Sequence, residues 1–405
     1  MNRLKWLSLI WSSGGLFLSS WIVIPAPTFA LLPLAVGAPE ISPLLLIGHL
    51  AGLIFAGILT GLHRSRFVYL VVLLSSFAIV LSSLPLLQIP ATLNQANSQF
   101  QTILGRVDSP QFIDADPMRS QPIIWTDLIR GIFIPPVRQD HHSIVTPTGN
   151  TLRLKIYRPL HQLSPAQGSP DQSRYPGIMA IYGGAWQRGD SGQNSQFNTY
   201  MAAQGYIVIA IDYRHAPAYH FPAQLEDTRA CLQWIRQNAI AYNLDTDRLA
   251  IVGWSAGGHL GLLSGYQDEQ VEPPIRAIVS YYGPVDLTAG YYDPPQPDPI
   301  DTRAVLETFL GGTPDQLPDL YRSASPIEWV KPGLPPTLLI YGQRDHIVEF
   351  KFGLALAERL RSADNLALLV PLPWSEHAFD AIFRGIGNQI SLYYTERFLA
   401  WALQS

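Results

Sequence analysis

Three long apolar stretches open the chain, at about residues 6–24, 44–62 and 67–87, and none contains an acidic residue. Each approaches the ~20 residues that a helix needs to cross a bilayer core, so the pattern predicts a transmembrane helical region over residues 1–90 with about three spans. Beyond it the rhythm changes. The alternation Leu152-Arg153-Leu154-Lys155-Ile156-Tyr157, after a turn at Pro147-Thr148-Gly149-Asn150, predicts a β-hairpin. Apolar strand-like runs follow at residues 177–182, 206–212, 249–252, 275–281, 337–341 and 367–372. Between and after them lie helical segments at 196–204, 222–238, from Ser255, 351–362 and 390–403. Apolar strands alternating with helices imply right-handed crossovers and a mostly parallel, doubly wound sheet, here with antiparallel strands first.

Two stretches break the alternation. Residues 88–124 are polar and rich in Gln and Asn, so residues 91–140 are expected to be a linker with a lead-in helix. Residues 284–326 carry several prolines, Tyr291-Tyr292 and a short helical run at 303–310. They read as a lid-like insertion over the C-terminal edge of the sheet in a domain spanning 141–405.

Charge sharpens the division. Of 405 residues only 14% are charged, against a usual ~25%, while 47% are hydrophobic, which excludes extended disorder. The first 90 residues hold just Arg3, Lys5, Glu40, Arg64 and Arg66. Placing Arg3 and Lys5 on the same side as Arg64 and Arg66 satisfies the positive-inside rule, with everything after about Gln88 outside the cytoplasm. If Thr28-Phe29-Ala30 instead marks the end of a cleaved signal peptide, the sidedness is unchanged. The expected location is therefore a membrane, multi-pass, with an extracytoplasmic catalytic domain. The rest of the chain has no Lys/Arg cluster, which removes the electrostatic basis for nucleic-acid binding. The single cysteine, Cys231, excludes an intrachain disulfide and a cysteine-based zinc cluster.

Gly253-Trp254-Ser255-Ala256-Gly257 follows an apolar strand and precedes a helical run, the context of a G-x-S-x-G nucleophile elbow. A serine hydroxyl is a weak nucleophile and needs a base oriented by a third group. Asp345, just after the strand at 337–341, and His377, after the strand at 367–372, supply them in the order Ser, Asp, His. His259 and His346 are weaker candidates for the base, and Asp286 and Glu376 for the acid. The small-residue loop Tyr182-Gly183-Gly184-Ala185-Trp186 and the N–H of Ala256 are the candidate oxyanion donors. Trp186 and Trp254 are expected to contact substrate. No His/Asp/Glu spacing looks like a ligand set, so no metal and no organic cofactor is expected.

These residues resemble the α/β-hydrolase carboxylesterases of the hormone-sensitive-lipase and feruloyl-esterase-like type, and among them isoprenylcysteine methylesterase-like proteins. The likeness runs from about Ser143 to Leu403. It rests on Tyr182 to Trp186, Asp212-Tyr213-Arg214 with Asp227, the elbow at Ser255, Tyr282-Gly283-Pro284-Val285-Asp286, Gly342-Gln343-Arg344-Asp345 and Glu376-His377. The resemblance implies an α/β-hydrolase fold, oxyanion donors at Gly184, Ala185 and Ala256, and a bracing role for Asp212, Tyr213, Arg214 and Asp227. The family usually has His-Gly-Gly-Gly where this chain has Tyr182-Gly183-Gly184-Ala185. The expectation is a membrane-anchored serine esterase acting on a small-molecule or lipid-like ester. An amidase or peptidase using the same triad, or a non-catalytic binding module of unknown oligomeric state, are the alternatives.

Overall fold

The computed structural model describes residues 2–62, 66–105, 117–146, 149–160, 174–267 and 273–404. Pro147 and Thr148 of the expected turn and Arg64 lie outside them.

The N-terminal region is helical: α1 (Asn2–Ser20), a 3-10 turn at Phe29–Leu31, α2 (Leu32–Glu40), α3 (Ser42–Leu62) and α4 (Arg66–Leu104). A short α5 (Trp125–Arg130) leads into strands β1 (Arg138–Val145), β2 (Thr151–Arg158) and β3 (Tyr175–Ile181). The rest runs α6 (Ser195–Ala203), β4 (Ile207–Ile211), α7 (Ala223–Asn238), β5 (Leu244–Trp254), α8 (Ala256–Tyr266) and β6 (Ile275–Tyr281). Then come α9 (Leu287–Tyr292), α10 (Thr302–Leu310), α11 (Pro318–Ser323), β7 (Thr337–Gly342), α12 (Phe350–Ser362), β8 (Ala367–Leu372) and α13 (Ile386–Ala402).

The strands form one sheet in the order β1-β2-β4-β3-β5-β6-β7-β8. The pairs β1/β2 and β2/β4 are antiparallel and every later pair is parallel. Every residue of β3, β4, β7 and β8 is buried, because helices cover the sheet and leave no polar face to alternate with. The fold is that of the α/β-hydrolases, with a mostly parallel sheet behind antiparallel first strands. The expected elements all form, and the insertion folds into α9, α10 and α11.

The N-terminal region departs from expectation. Among the described residues, only α4 is by itself long and apolar enough to cross a membrane, while Phe29–Glu40 and Ser42–Ile58 qualify only as a pair bent by 75°. Three consecutive crossings are therefore not supported. α1 carries Arg3 and Lys5 at its start, and it turns several of its serines toward the other helices: Ser12 bonds Ser75 at 2.9 Å, and Ser19 bonds His49 at 2.8 Å and Ser82 at 2.9 Å. Large apolar side chains point the other way, among them Ile10, Ile54, Leu73 and Phe77, each more than half exposed.

The expected linker also begins differently. α4 continues to Leu104, and its polar amides dock on the edge of the sheet. The Gln99 side chain donates to the Leu369 carbonyl at 3.2 Å and accepts from the Leu369 N–H at 3.3 Å, pairing the outer edge of β8 as another strand would. Tyr394 donates to Asn97 at 2.8 Å, and Phe100 packs on its ring at 4.7 Å. Of the Gln and Asn residues of this segment, Gln99 thus pairs the sheet edge and Asn97 holds α13.

Candidate active site

Sequence makes the elbow sharp. Ser255 adopts φ 52° and ψ −120°, a strained conformation for a residue with a side chain, between the end of β5 and the start of α8. The turn closes only because its neighbours lack Cβ atoms: one at Gly253 would lie 2.3 Å from the Gly257 carbonyl oxygen, and one at Gly257 2.0 Å from that of Ile181. The Ser255 N–H is held by the Tyr281 carbonyl at 2.9 Å.

The three distant residues meet. His377 Nε2 lies 3.0 Å from Ser255 Oγ, and His377 Nδ1 lies 2.7 Å from Asp345 Oδ2. The other oxygen of Asp345 accepts the N–H groups of Ile347 and Val348, both at 2.8 Å. The carboxylate is thus fixed before the imidazole reaches it, and its second oxygen is left to hold the Nδ1 proton. This tautomer leaves Nε2 as an acceptor toward the serine hydroxyl. His377 and Asp345 are buried, whereas the hydroxyl of Ser255 borders open cavities.

The rival candidates have other work. His259 accepts from the Trp186 indole N–H at 3.2 Å and donates from Nε2 to the Ala324 carbonyl at 2.7 Å. It therefore pins the insertion to the elbow helix, and burial pushes its pKa down to about 4, so the ring is neutral near pH 7. His346 pairs with Glu376 at 3.0 Å, and that carboxylate raises the pKa of His346. Asp286 caps α9 by accepting the Ala289 N–H.

The loop of Gly183, Gly184 and Ala185 borders the same cavity as Ser255, and Ala256 borders a second one with it. The chain reverses tightly here: Gly184 has φ +144°, and a Cβ on it would strike the Arg188 carbonyl oxygen at 2.0 Å. Ala185 and Trp186 follow at φ 55° and 59°. Tyr182 stacks on Tyr213 at 4.5 Å and its hydroxyl bonds His215 at 2.8 Å, so its ring braces the loop from beneath. The residues expected to brace the site do so in bonds: Asp212 accepts the Ser191 N–H, Tyr213 donates to the Tyr182 carbonyl, and Arg214 pairs with Asp227. Trp186 and Trp254 border the cavities but are each only 2% exposed. They serve chiefly as packing, Trp186 on Phe309 and Trp254 on Tyr281.

Two cavities open at Ser255. The smaller, of about 60 Å³, is apolar and lies under the insertion, against Val285, Leu287, Val305 and Leu306. The larger, of about 690 Å³, contains His377, Tyr282 and Asp380. Tyr282 packs its ring 4.5 Å from that of His377 and donates its hydroxyl to Asp380, whose carboxyl burial raises to about 6. The sequence singles out Tyr282 only as part of the family likeness and does not single out Asp380 at all.

At the carboxyl ends of the parallel strands of this α/β-hydrolase fold, the elbow serine is thus hydrogen-bonded to a histidine and, through it, to a buried carboxylate. Comparison with known proteins agrees. The family described as BD-FAE matches residues 165–360, just under half of the chain. Esterase LipC of Mycobacterium tuberculosis is 32% identical over 220 residues, covering 51% of this chain and 54% of its own. Ethyl acetate hydrolase of Pseudomonas putida is 32% identical over 165 residues, 40% of this chain and 49% of that one. The chain thus spans about half the length of the curated relatives it matches. Among solved structures, the Pyrobaculum calidifontis esterase superposes with a TM-score of 0.56 at 23% identity, over 66% of this chain and 86% of that one. A bacterial heroin esterase gives 0.58 at 22%, over 66% and 85%. The likeness to α/β-hydrolase carboxylesterases read from the motifs is borne out, and these solved structures establish the fold.

Proposed function

We propose that the protein is a membrane-anchored carboxylic ester hydrolase working through an acyl-enzyme on Ser255. The observation that carries this is the continuous relay from Ser255 Oγ through His377 to Asp345. Ser255 Oγ attacks the ester carbonyl carbon as its proton passes to His377 Nε2, and the developing oxyanion is met by backbone N–H groups of Gly184, Ala185 and Ala256. His377 then gives that proton to the departing alkoxide as the carbon–oxygen bond breaks. Water attacks the acyl-enzyme, again losing a proton to His377, and the carboxylic acid leaves as the proton returns to Ser255. Asp345 holds the imidazolium throughout without accepting its proton.

Anchoring is supported by the outward apolar faces and inward serines of α1, α3 and α4, an arrangement suited to lipid. The positive charges near the first helix and after α3 favour placing the catalytic domain outside the cytoplasm. An ester panel assayed against wild type and Ser255→Ala tests the chemistry, with matched amides deciding between esterase and amidase. Protease accessibility in intact membranes tests the sidedness.

A further inference from the structure

The larger cavity is not built by the catalytic domain alone. Phe29, Leu32, Pro33 and Val36, from the segment between the first two apolar stretches, border the same space as Ser255 and His377. Leu32 and Val36 lie four residues apart on α2, so one face of that helix supplies both. The segment is clamped to the residues that surround the triad. Glu40, at the end of α2 and fully buried, accepts the Ser375 hydroxyl at 2.7 Å and the Gly387 N–H at 2.6 Å. Ser375 is two residues before His377, and Gly387 opens α13, whose N-terminus favours a carboxylate. Arg344, beside Asp345, donates to the Val23 carbonyl at 2.6 Å. Arg188, whose backbone N–H donates to the Gly184 carbonyl, holds its guanidinium 4.6 Å over the Phe29 ring. Ile347 packs against the apolar cluster formed by Trp21, Ile22, Leu32 and Val36.

Resting on the esterase reading above, the chemistry says which half of a substrate lies here. The leaving alcohol must take its proton from His377, and His377 borders the larger cavity and not the smaller. The alcohol therefore occupies the larger cavity and the acyl group the small apolar one, whose 60 Å³ is about a tenth of the 690 Å³ of its neighbour. We propose that residues 29–36 are the specificity wall of the alcohol site, and that the substrate is a short-acyl ester of a bulky, largely apolar alcohol that also carries a polar group. Phe29, Leu32 and Val36 meet its apolar part, while Gln193 and Asn388, which border the same cavity, offer polar groups.

The test uses the full-length protein in detergent, with two substrate series: acetates of methanol, benzyl alcohol and a fused-ring alcohol, and methyl esters lengthening from acetate to octanoate. For wild type, kcat/KM holds or rises along the alcohol series and falls more than tenfold along the acyl series. Val36→Trp, which fills the cavity, lowers the ratio of fused-ring to methyl acetate at least tenfold. Phe29→Ala, at a position about half exposed and thus tolerant of truncation, raises KM for the fused-ring acetate severalfold with kcat little changed. It carries the test should the tryptophan variant not fold. Ester turnover with wild-type ratios in Phe29→Ala and in any folded Val36→Trp overturns the wall while leaving the esterase intact. No turnover of any ester, together with no labelling of Ser255 by a fluorophosphonate, sinks the esterase reading and the wall with it.

Discussion

The N-terminal helices and the catalytic domain use the same apolar residue types in opposite directions. In the sheet domain strands β3, β4, β7 and β8 bury every side chain, and Ser255, His377 and Asp345 meet at one rim. Around α1, α3 and α4 the paired Ser12, Ser19, Ser75 and Ser82 lie inside and Ile10, Ile54, Leu73 and Phe77 lie outside. A hydrophobic count cannot separate these arrangements. What separates them is the side on which polar groups find partners, which depends on whether the surroundings are water or hydrocarbon. The two regions meet at the end of α4 and at α2, where Glu40 is buried against Ser375, two residues before His377.

Substitutions on each side should give different readouts. Ser255→Ala has the largest effect: ester turnover falls by about four orders of magnitude or more, while circular dichroism and membrane partition stay as in wild type. Leu73→Arg, on an outward face of α4, is expected to cost on the order of 3 kcal/mol of insertion and shift protein out of the membrane fraction, without touching the triad. Wild-type levels of membrane-bound Leu73→Arg would erase the contrast between the two regions.

A pH effect follows from His259. Its folded pKa of about 4 lies below the unfolded value near 6.5, so on acidification the unfolded chain takes up a proton that the folded ring refuses. Its contribution is fully present above pH 6.5 and is lost as pH falls toward 4, by about 3 kcal/mol at most. Asp380, raised to about 6, slopes the other way, since the folded carboxyl takes its proton first. The prediction is therefore a difference: thermal melts of wild type minus His259→Asn across pH 4–7 should retain the histidine slope, and a flat difference contradicts it. Glu40→Ala leaves the Ser375 hydroxyl and Gly387 N–H without their acceptor and should cost about 1–3 kcal/mol in thermal stability. The smallest effect is Ser75→Ala, between α1 and α4, at about 0.6 kcal/mol.

The meeting of Ser255, Asp345 and His377 was legible because each part has a local signature: the small residues around Ser255, and a carboxylate and an imidazole each just past an apolar strand. The α4 docking was not, since Gln99 and Asn97 bond a strand edge and a tyrosine nearly three hundred residues away. A polar run looks alike whether water or a sheet edge satisfies it. The alcohol-side wall was hidden because Phe29, Leu32 and Val36 are ordinary apolar residues in an apolar stretch. Glu40 was the available clue: the one acidic residue in the first 90 needs a buried partner somewhere.

The central claim is that Ser255 is an activated nucleophile. Treating the full-length protein with a fluorophosphonate and mapping the adduct by peptide mass spectrometry tests it most directly. Stoichiometric label on Ser255, lost in His377→Ala, is predicted; a folded wild-type protein whose Ser255 stays unlabelled would contradict it.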